Sequence, residues 1–595
     1  MRKRRASGGS EMGGADGAKG ARGGAPATND KRRDTAKART YGGGGGDVSA
    51  SAAAARWRAG ALRCSGGPAT RRGCVGGAGL WTGWRKVRKI TKSSSFNGKG
   101  AVVNKNYAPE PPGAWPIIGH LPLLVSAKQP HRAFAALAEK YGPAFMLRMG
   151  MSSPMLIVSS REVAKECYTA KDHVFATRPV TTAGKLMAYD HSVMGFTPFG
   201  TYWREIRKIA TVELFSARRI GMLKPVRQSE VSLWMKGLHE KWVQNGNSSV
   251  SVELKTQLEE LTFNLLTQMV AGKRYYGSNV AKADEKMAGL FCHAVQQFNY
   301  HLGNSEMYDA LPFMAWLDFK GDAKAMKNTQ KDLDYIMQTW LDEHRAKADQ
   351  MRGDAINNTR DFLDVLVMME KTGQFSSAIK DIDTTIKALA LTQLVAGVDS
   401  MANTMVWVLA LLLNNPEMLA KAQIELDTNV GKDRLVEESD IPNLKYLQAL
   451  LKETLRMYPV GPLLVPHEAM EDCHVAGYFV PRGTGLFINA WTIQRDPNVW
   501  AEPDRFMPER FLTTNADMDV KGQSYELLPF GSQDDRAPVG LALQVMHLTL
   551  ARILQAFELK THSNVGVDLE ECSGILLSMM HPLQVLMAPR LPRTL

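Results

Sequence analysis

The stretch Leu451-Lys452-Glu453-Thr454-Leu455-Arg456-Met457-Tyr458-Pro459 decides how this chain is read. Glu453 and Arg456 stand three apart, so on a helix they share a face and can pair. Pro459 closes that helix, because proline has no amide hydrogen with which to continue it. A Glu-x-x-Arg alone is common on solvated helices. Its weight comes from three downstream segments that appear in a set order: Asn489-Ala490-Trp491, Arg495-Asp496-Pro497, and Phe506-Met507-Pro508-Glu509-Arg510-Phe511.

That order resembles the K-helix and the Phe-x-Pro-Glu-Arg-Phe segment of the cytochrome P-450 superfamily, the haem-thiolate monooxygenases, and especially its plant microsomal members. The resemblance runs from about Tyr107 to Leu595. It implies the cytochrome P-450 fold, mainly α with a small β region. In that fold Glu453, Arg456 and Arg510 form a buried structural ion triad behind the haem. Removing one member of such a set leaves a buried charge unpaired, at roughly 3–5 kcal/mol.

A second motif is Ala396-Gly397-Val398-Asp399-Ser400. Asp399 is the only ionisable residue between Lys387 and Glu417. A lone carboxylate in a long apolar helix is costly unless it is paired or used. A polar patch that kinks its own helix is the bland reading. The resemblance makes this the distal I-helix motif, with Asp399 relaying protons and the Ser400 hydroxyl hydrogen-bonding dioxygen. The family usually has Thr where Ser400 stands. Serine keeps the hydroxyl and loses the methyl that restricts its rotamer, so less firm proton delivery is expected.

Trp203-Arg204-Glu205-Ile206-Arg207 comes after Pro198-Phe199-Gly200. Trp203 and Arg207 are four apart and share a face, as on any amphipathic helix. The resemblance puts both on one haem propionate, and His467 of Val465-Pro466-His467-Glu468 on the other. Substrate contacts are expected from 185–194, 291–311, 395–397 and 460–465, with the substrate class open among terpenoids, alkaloids, phenolics and fatty acids.

The haem-ligand loop departs from the pattern. The family writes Phe-x-x-Gly-x-Arg-x-Cys-x-Gly; this chain reads Phe530-Gly531-Ser532-Gln533-Asp534-Asp535-Arg536-Ala537-Pro538-Val539-Gly540. Ala537 occupies the axial cysteine position and Asp535 replaces an arginine. The likeness returns from Leu541. A thiolate ligand favours O–O cleavage, and alanine offers no donor atom. Cys473 is expected to stay a thiol, because Glu471 and Asp472 precede it and like charge disfavours thiolate. Read from the third base of the Gln533 codon, the degenerate codons of this stretch permit Arg-Arg-Ser-Cys-Pro. The alternative to a working monooxygenase is therefore an inactive relative or a defective gene model carrying a local reading-frame displacement.

The implied cofactor is haem b. The implied partners are NADPH-cytochrome reductase, dioxygen and a small hydrophobic substrate. Localisation by resemblance is the endoplasmic reticulum membrane, although no anchor helix is expected before Pro109 and no stretch reaches the roughly 18 continuous apolar residues a membrane helix needs.

Composition sets these readings in a frame. The chain has 595 residues and a net charge of +13. Residues 1–100 hold 22 Lys/Arg against 5 Asp/Glu, so the basic excess belongs to that stretch and the remainder is mildly acidic. A nucleic-acid partner is therefore not expected for the body. The stretch carries 23 of the 51 glycines and cannot bury enough apolar surface to offset its ordering entropy. Residues 1–105 are expected to be a disordered tail and 106–595 one domain. An Arg/Gly nucleic-acid tail, a transit peptide and translated GC-rich upstream DNA are the competing readings of the tail. Six scattered cysteines, without a CxxC pair, suit a reducing compartment.

Overall fold

The computed structural model describes residues 106–591 except 152, 278–281, 305, 312–317, 319–320, 351–360, 532–537, 563–564 and 573. The expected tail and the disrupted loop with Ala537 lie outside the described residues.

The helices that frame the site are α1 (Pro130–Tyr141), α2 (Thr201–Glu213), α3 (Leu254–Ala271), α4 (Lys282–Asn304), α5 (Asp322–Gln350), α6 (Phe362–Lys371), α7 (Ile382–Asn414), α8 (Lys445–Met457) and α9 (Val539–Ala556). The described strands are β1 (Ala144–Leu147), β2 (Met155–Val158), β3 (Val250–Glu253), β4 (His467–Glu468), β5 (Cys473–Val475), β6 (Tyr478–Val480), β7 (Gly485–Ile488), β8 (Phe557–Lys560) and β9 (Gln584–Pro589). They form a four-stranded sheet β1-β2-β7-β4, a three-stranded sheet β3-β9-β8 and the hairpin β5-β6. The fold is mainly helical with a small β part.

The sequence pattern puts the first strand over 145–149; in the structure it is β1, Ala144–Leu147. Arg148 and Met149 leave β2 for an earlier turn: the His120 amide donates to the Arg148 carbonyl at 2.8 Å, and Met149 bridges Gly119. Gly150 then turns at φ +63°, where a Cβ would stand 2.3 Å from the Ala310 carbonyl oxygen. β2 then pairs in parallel with β7, Met155 opposite Gly485 and Val158 opposite Ile488. That pairing holds together pieces far apart in sequence.

α7 is the spine. The Asp381 side chain accepts from the Thr384 amide at 3.0 Å and caps its start. Asn415-Pro416 ends it, and the Asn415 side chain donates to the Leu411 carbonyl at 2.8 Å. Its length and hydropathy would suit a membrane span, yet most of its apolar window is buried in the protein, as is that of α9. Both are core helices. α3 lies along α7, and Gly397 permits this: a Cβ there would meet Leu266 Cδ1 at 2.8 Å. α5 covers α4 through Trp340, which is fully buried, meets Phe291 edge to face at 5.5 Å and donates its indole N–H to the Tyr275 hydroxyl at 2.8 Å. Truncating such a core tryptophan to alanine costs about 3–5 kcal/mol.

Candidate active site

The middle of α7 is under-packed. Thr385–Leu394 and Met401–Leu412 are buried almost without interruption, whereas Ala396 is exposed and Ser400, one turn on, is only partly buried. Residues four apart share a helix face, so Ala396 and Ser400 open one side while Gly397 and Val398 pack on the other. The helix is continuous across this stretch. The Ser400 hydroxyl donates to the Ala396 carbonyl at 2.6 Å. On the packed side, Thr262 Oγ1 donates to the Val398 carbonyl at 3.1 Å.

Asp399 points toward neither of these. Its Oδ2 accepts from Asn299 Nδ2 of α4 at 2.6 Å. Burial raises its carboxyl above the ordinary range, against the Asn299 bond and the more distant Lys255 charge, which pull it down. On α3, Glu259 is pushed up to about 7, by burial first, with the Asp399 charge adding and Lys255 opposing.

Of the expected substrate segments, 185–194 meets α7 beside this centre. The Met194 amide donates to Thr392 Oγ1 at 3.2 Å, one turn before Ala396. The Thr182 amide donates to Asp309 Oδ1 at 2.7 Å, joining the segment before 185–194 to the one after α4. Phe196 and Phe298 of α4 meet edge to face at 6.0 Å. The Leu577 amide donates to the Val460 carbonyl at 2.7 Å, bringing in a loop that carries no motif.

The residues matched to haem propionates are placed on separate elements. Trp203 is buried on α2, with the Arg207 guanidinium 5.2 Å from its ring centroid. His467 is buried on β4, where its Nδ1 lies 2.6 Å from the Phe175 carbonyl oxygen. Phe530 is partly buried against the main core, and Gly531 turns the chain at φ +72°.

Glu453, Arg456 and Arg510 meet behind α8. Arg456 donates twice to Glu453, at 2.8 and 2.9 Å, and Arg510 donates to Glu453 Oε1 at 3.1 Å. The Met507 amide adds a fourth donor at 2.9 Å. Trp500 lies across both guanidiniums, at 5.2 and 6.0 Å. Sequence reasoning passes over Gln494, which organises the same place. It donates to the Leu455 and Arg456 carbonyls at 3.0 and 2.9 Å and accepts from the Leu528 amide at 2.8 Å. It thus ties α8 to the chain just before Phe530. No sequence signal marks it: between Trp491-Thr492-Ile493 and Arg495 it is one more polar residue.

The expectation for Cys473 needs its cause corrected. Its thiol is raised, but burial is the largest reason and Glu471, Glu166 and Asp472 only add to it.

A haem needs a flat apolar berth, cationic or hydrogen-bonding groups for two anionic arms, and an axial donor. Ala396 is small, apolar and exposed, and Arg207 and His467 carry the chemistry that anionic arms need, although they stand on separate elements. The third does not fit: 530–540 holds no thiol, and Cys167 and Cys473 are buried in a separate apolar cluster around β2, β5 and β7.

The whole-chain comparisons agree with the frame. The family model for cytochrome P450 matches residues 109–587. A xanthotoxin 5-hydroxylase of Arabidopsis thaliana is 47% identical over 82% of this chain and 94% of its own. A flavonoid-6-hydroxylase of Mentha piperita is 44% identical over 82% and 93%. A solved zebrafish cytochrome P450 structure with progesterone superposes with a TM-score of 0.64 at 27% identity, covering 78% of this chain and 99% of that one. The chain belongs to the cytochrome P450 family, whose members are haem-dependent monooxygenases that use dioxygen, a redox partner and a small substrate.

Proposed function

We propose that this protein is built to hydroxylate an aromatic ring of a planar, oxygenated, fused-ring substrate, a chemistry that the chain completes only when its ligand loop carries the axial thiol that Ala537 replaces. One oxygen atom of dioxygen enters a C–H bond and the other leaves as water. NADPH supplies the two electrons through a flavoprotein NADPH-cytochrome reductase at the endoplasmic reticulum membrane. The observation that carries the substrate class is the pair of relatives named for xanthotoxin and flavonoid hydroxylation, each matched over more than nine-tenths of its length. The edge-to-face Phe196–Phe298 pair and the open Ala396 face suit a flat aromatic guest.

In this reading Asp399 and Ser400 deliver protons. Trp203, Arg207 and His467 hold the haem propionates. Phe530 backs the ligand loop, and Glu453, Arg456 and Arg510 hold the frame. Haem, when bound, supplies the oxidising chemistry, and the protein supplies orientation and protons. Ala537 favours a second reading, a retained fold without chemistry.

The test compares the chain as written with a loop-restored chain, in which 533–538 is replaced by Gly-Arg-Arg-Ser-Cys-Pro-Gly. Each is supplied with reductase and NADPH and offered xanthotoxin, a flavone, a monoterpene and a fatty acid. The restored chain is expected to give monohydroxylated xanthotoxin or flavone. Turnover of the monoterpene or fatty acid alone would contradict the substrate class. Turnover by the chain as written would contradict the second reading.

A further inference from the structure

Asp399 is gripped from outside its own helix. The Asn299 amide on α4 lies 2.6 Å from Asp399 Oδ2. The other groups facing this carboxylate sit on α3 and α4. Thr262 Oγ1 lies 3.1 Å from the Glu259 carbonyl and 3.1 Å from the Val398 carbonyl, so the Glu259 turn abuts the Asp399 turn. Lys255 Nζ stands 3.7 Å from Glu259, and both side chains reach solvent. Cys292 of α4 lies 2.7 Å from the Tyr276 hydroxyl.

An arginine or lysine in place of Asn299 would pin Asp399 as a carboxylate, since an adjacent cation lowers such a group by roughly 1–3 pH units. A neutral amide fixes the orientation of one oxygen and leaves the other to take up and release a proton. We propose that Asn299 is a positioning residue for Asp399, fixing Oδ2 and leaving Oδ1 as the oxygen that takes up and releases a proton, and that it couples α4 to proton delivery. This rests on the role of Asp399 given above.

The direct test titrates Asp399 in the full chain by infrared difference spectroscopy. Asp399→Asn serves as the blank, and a Glu259→Gln background removes the neighbouring carboxyl. Asn299→Leu deletes the donor with little change of shape. The Asp399 midpoint is expected to rise by about one pH unit, the direction set by losing a hydrogen bond to the charged form. Asn299→Asp is closer still to isosteric, and its two carboxyls are expected to share a proton and titrate in two separated steps. An unshifted midpoint in the first variant, or a single step in the second, overturns the proposal. In the loop-restored chain, Asn299→Leu is expected to lower kcat about tenfold with KM unchanged. A shifted midpoint with unchanged kcat would overturn the role given to Asp399 while leaving the Asn299 contact intact.

Discussion

The ion set behind α8 and the carboxylate in the middle of α7 are both charges inside a helical core, and they are treated in opposite ways. Glu453 receives four donors, three from guanidiniums and one from the backbone, and its arginine partners donate further to the Gln494, Ala501, Glu502 and Arg505 carbonyls. Asp399 receives one neutral donor. Ser400, beside it, turns its hydroxyl back onto its own helix. A saturated charge costs several kcal/mol to disturb and holds shape. A charge with one neutral partner is easier to protonate, because burial raises its carboxyl and no adjacent cation among the described residues holds it ionised. The contrast separates groups that hold the frame from groups placed to act.

Breaking the saturated side should give the largest effect. Glu453→Gln leaves two buried guanidiniums facing a neutral amide, and urea unfolding followed by tryptophan fluorescence should lose roughly 3–5 kcal/mol. A second saturated carboxylate sharpens the comparison by pH. Glu571 is 3% exposed. Burial pushes its carboxyl up, but hydrogen bonds from His131 and Arg132 overcome this and hold it down at about 2. Its folded value lies below its unfolded one, so the unfolded state takes up the proton first. The stabilisation is present above about pH 4.5 and is lost as pH falls toward about 2, amounting to roughly 3 kcal/mol. Glu571→Gln should remove that acid limb from a stability-against-pH profile. Gln494→Leu strands the Leu455 carbonyl and the Leu528 amide, and should cost about 1–3 kcal/mol per group left unsatisfied. Ser400→Ala should be the mildest, below about 1 kcal/mol, because the Ala396 carbonyl it releases is already placed in a helix. A Ser400→Ala loss as large as that of Glu453→Gln would erase the distinction.

Much of the frame is legible in the sequence because it is written locally. The long apolar run of α7 and the Glu453–Arg456 spacing each depend on neighbours within a few residues. What is illegible is what crosses the fold. Asn299 meets Asp399 only because α4 packs over α7, and no spacing rule links residues a hundred apart. Gln494 reads as an ordinary polar residue until its three backbone partners assemble around it. The end of β1 escapes a local reading because Arg148 and Met149 pair with His120 and Gly119, in an earlier segment. The altered loop is the reverse case: its missing thiol is legible only in the sequence, as 532–537 lies outside the described residues.

The family is haem-dependent, and thiolate ligation turns on the thiol that 530–540 lacks. The carbon-monoxide difference spectrum of the reduced protein tests this directly, with the chain as written beside the loop-restored chain. A thiolate-ligated haem band is predicted from the restored chain and none from the chain with Ala537. A folded restored chain without that band, or the band from the chain as written, would contradict it.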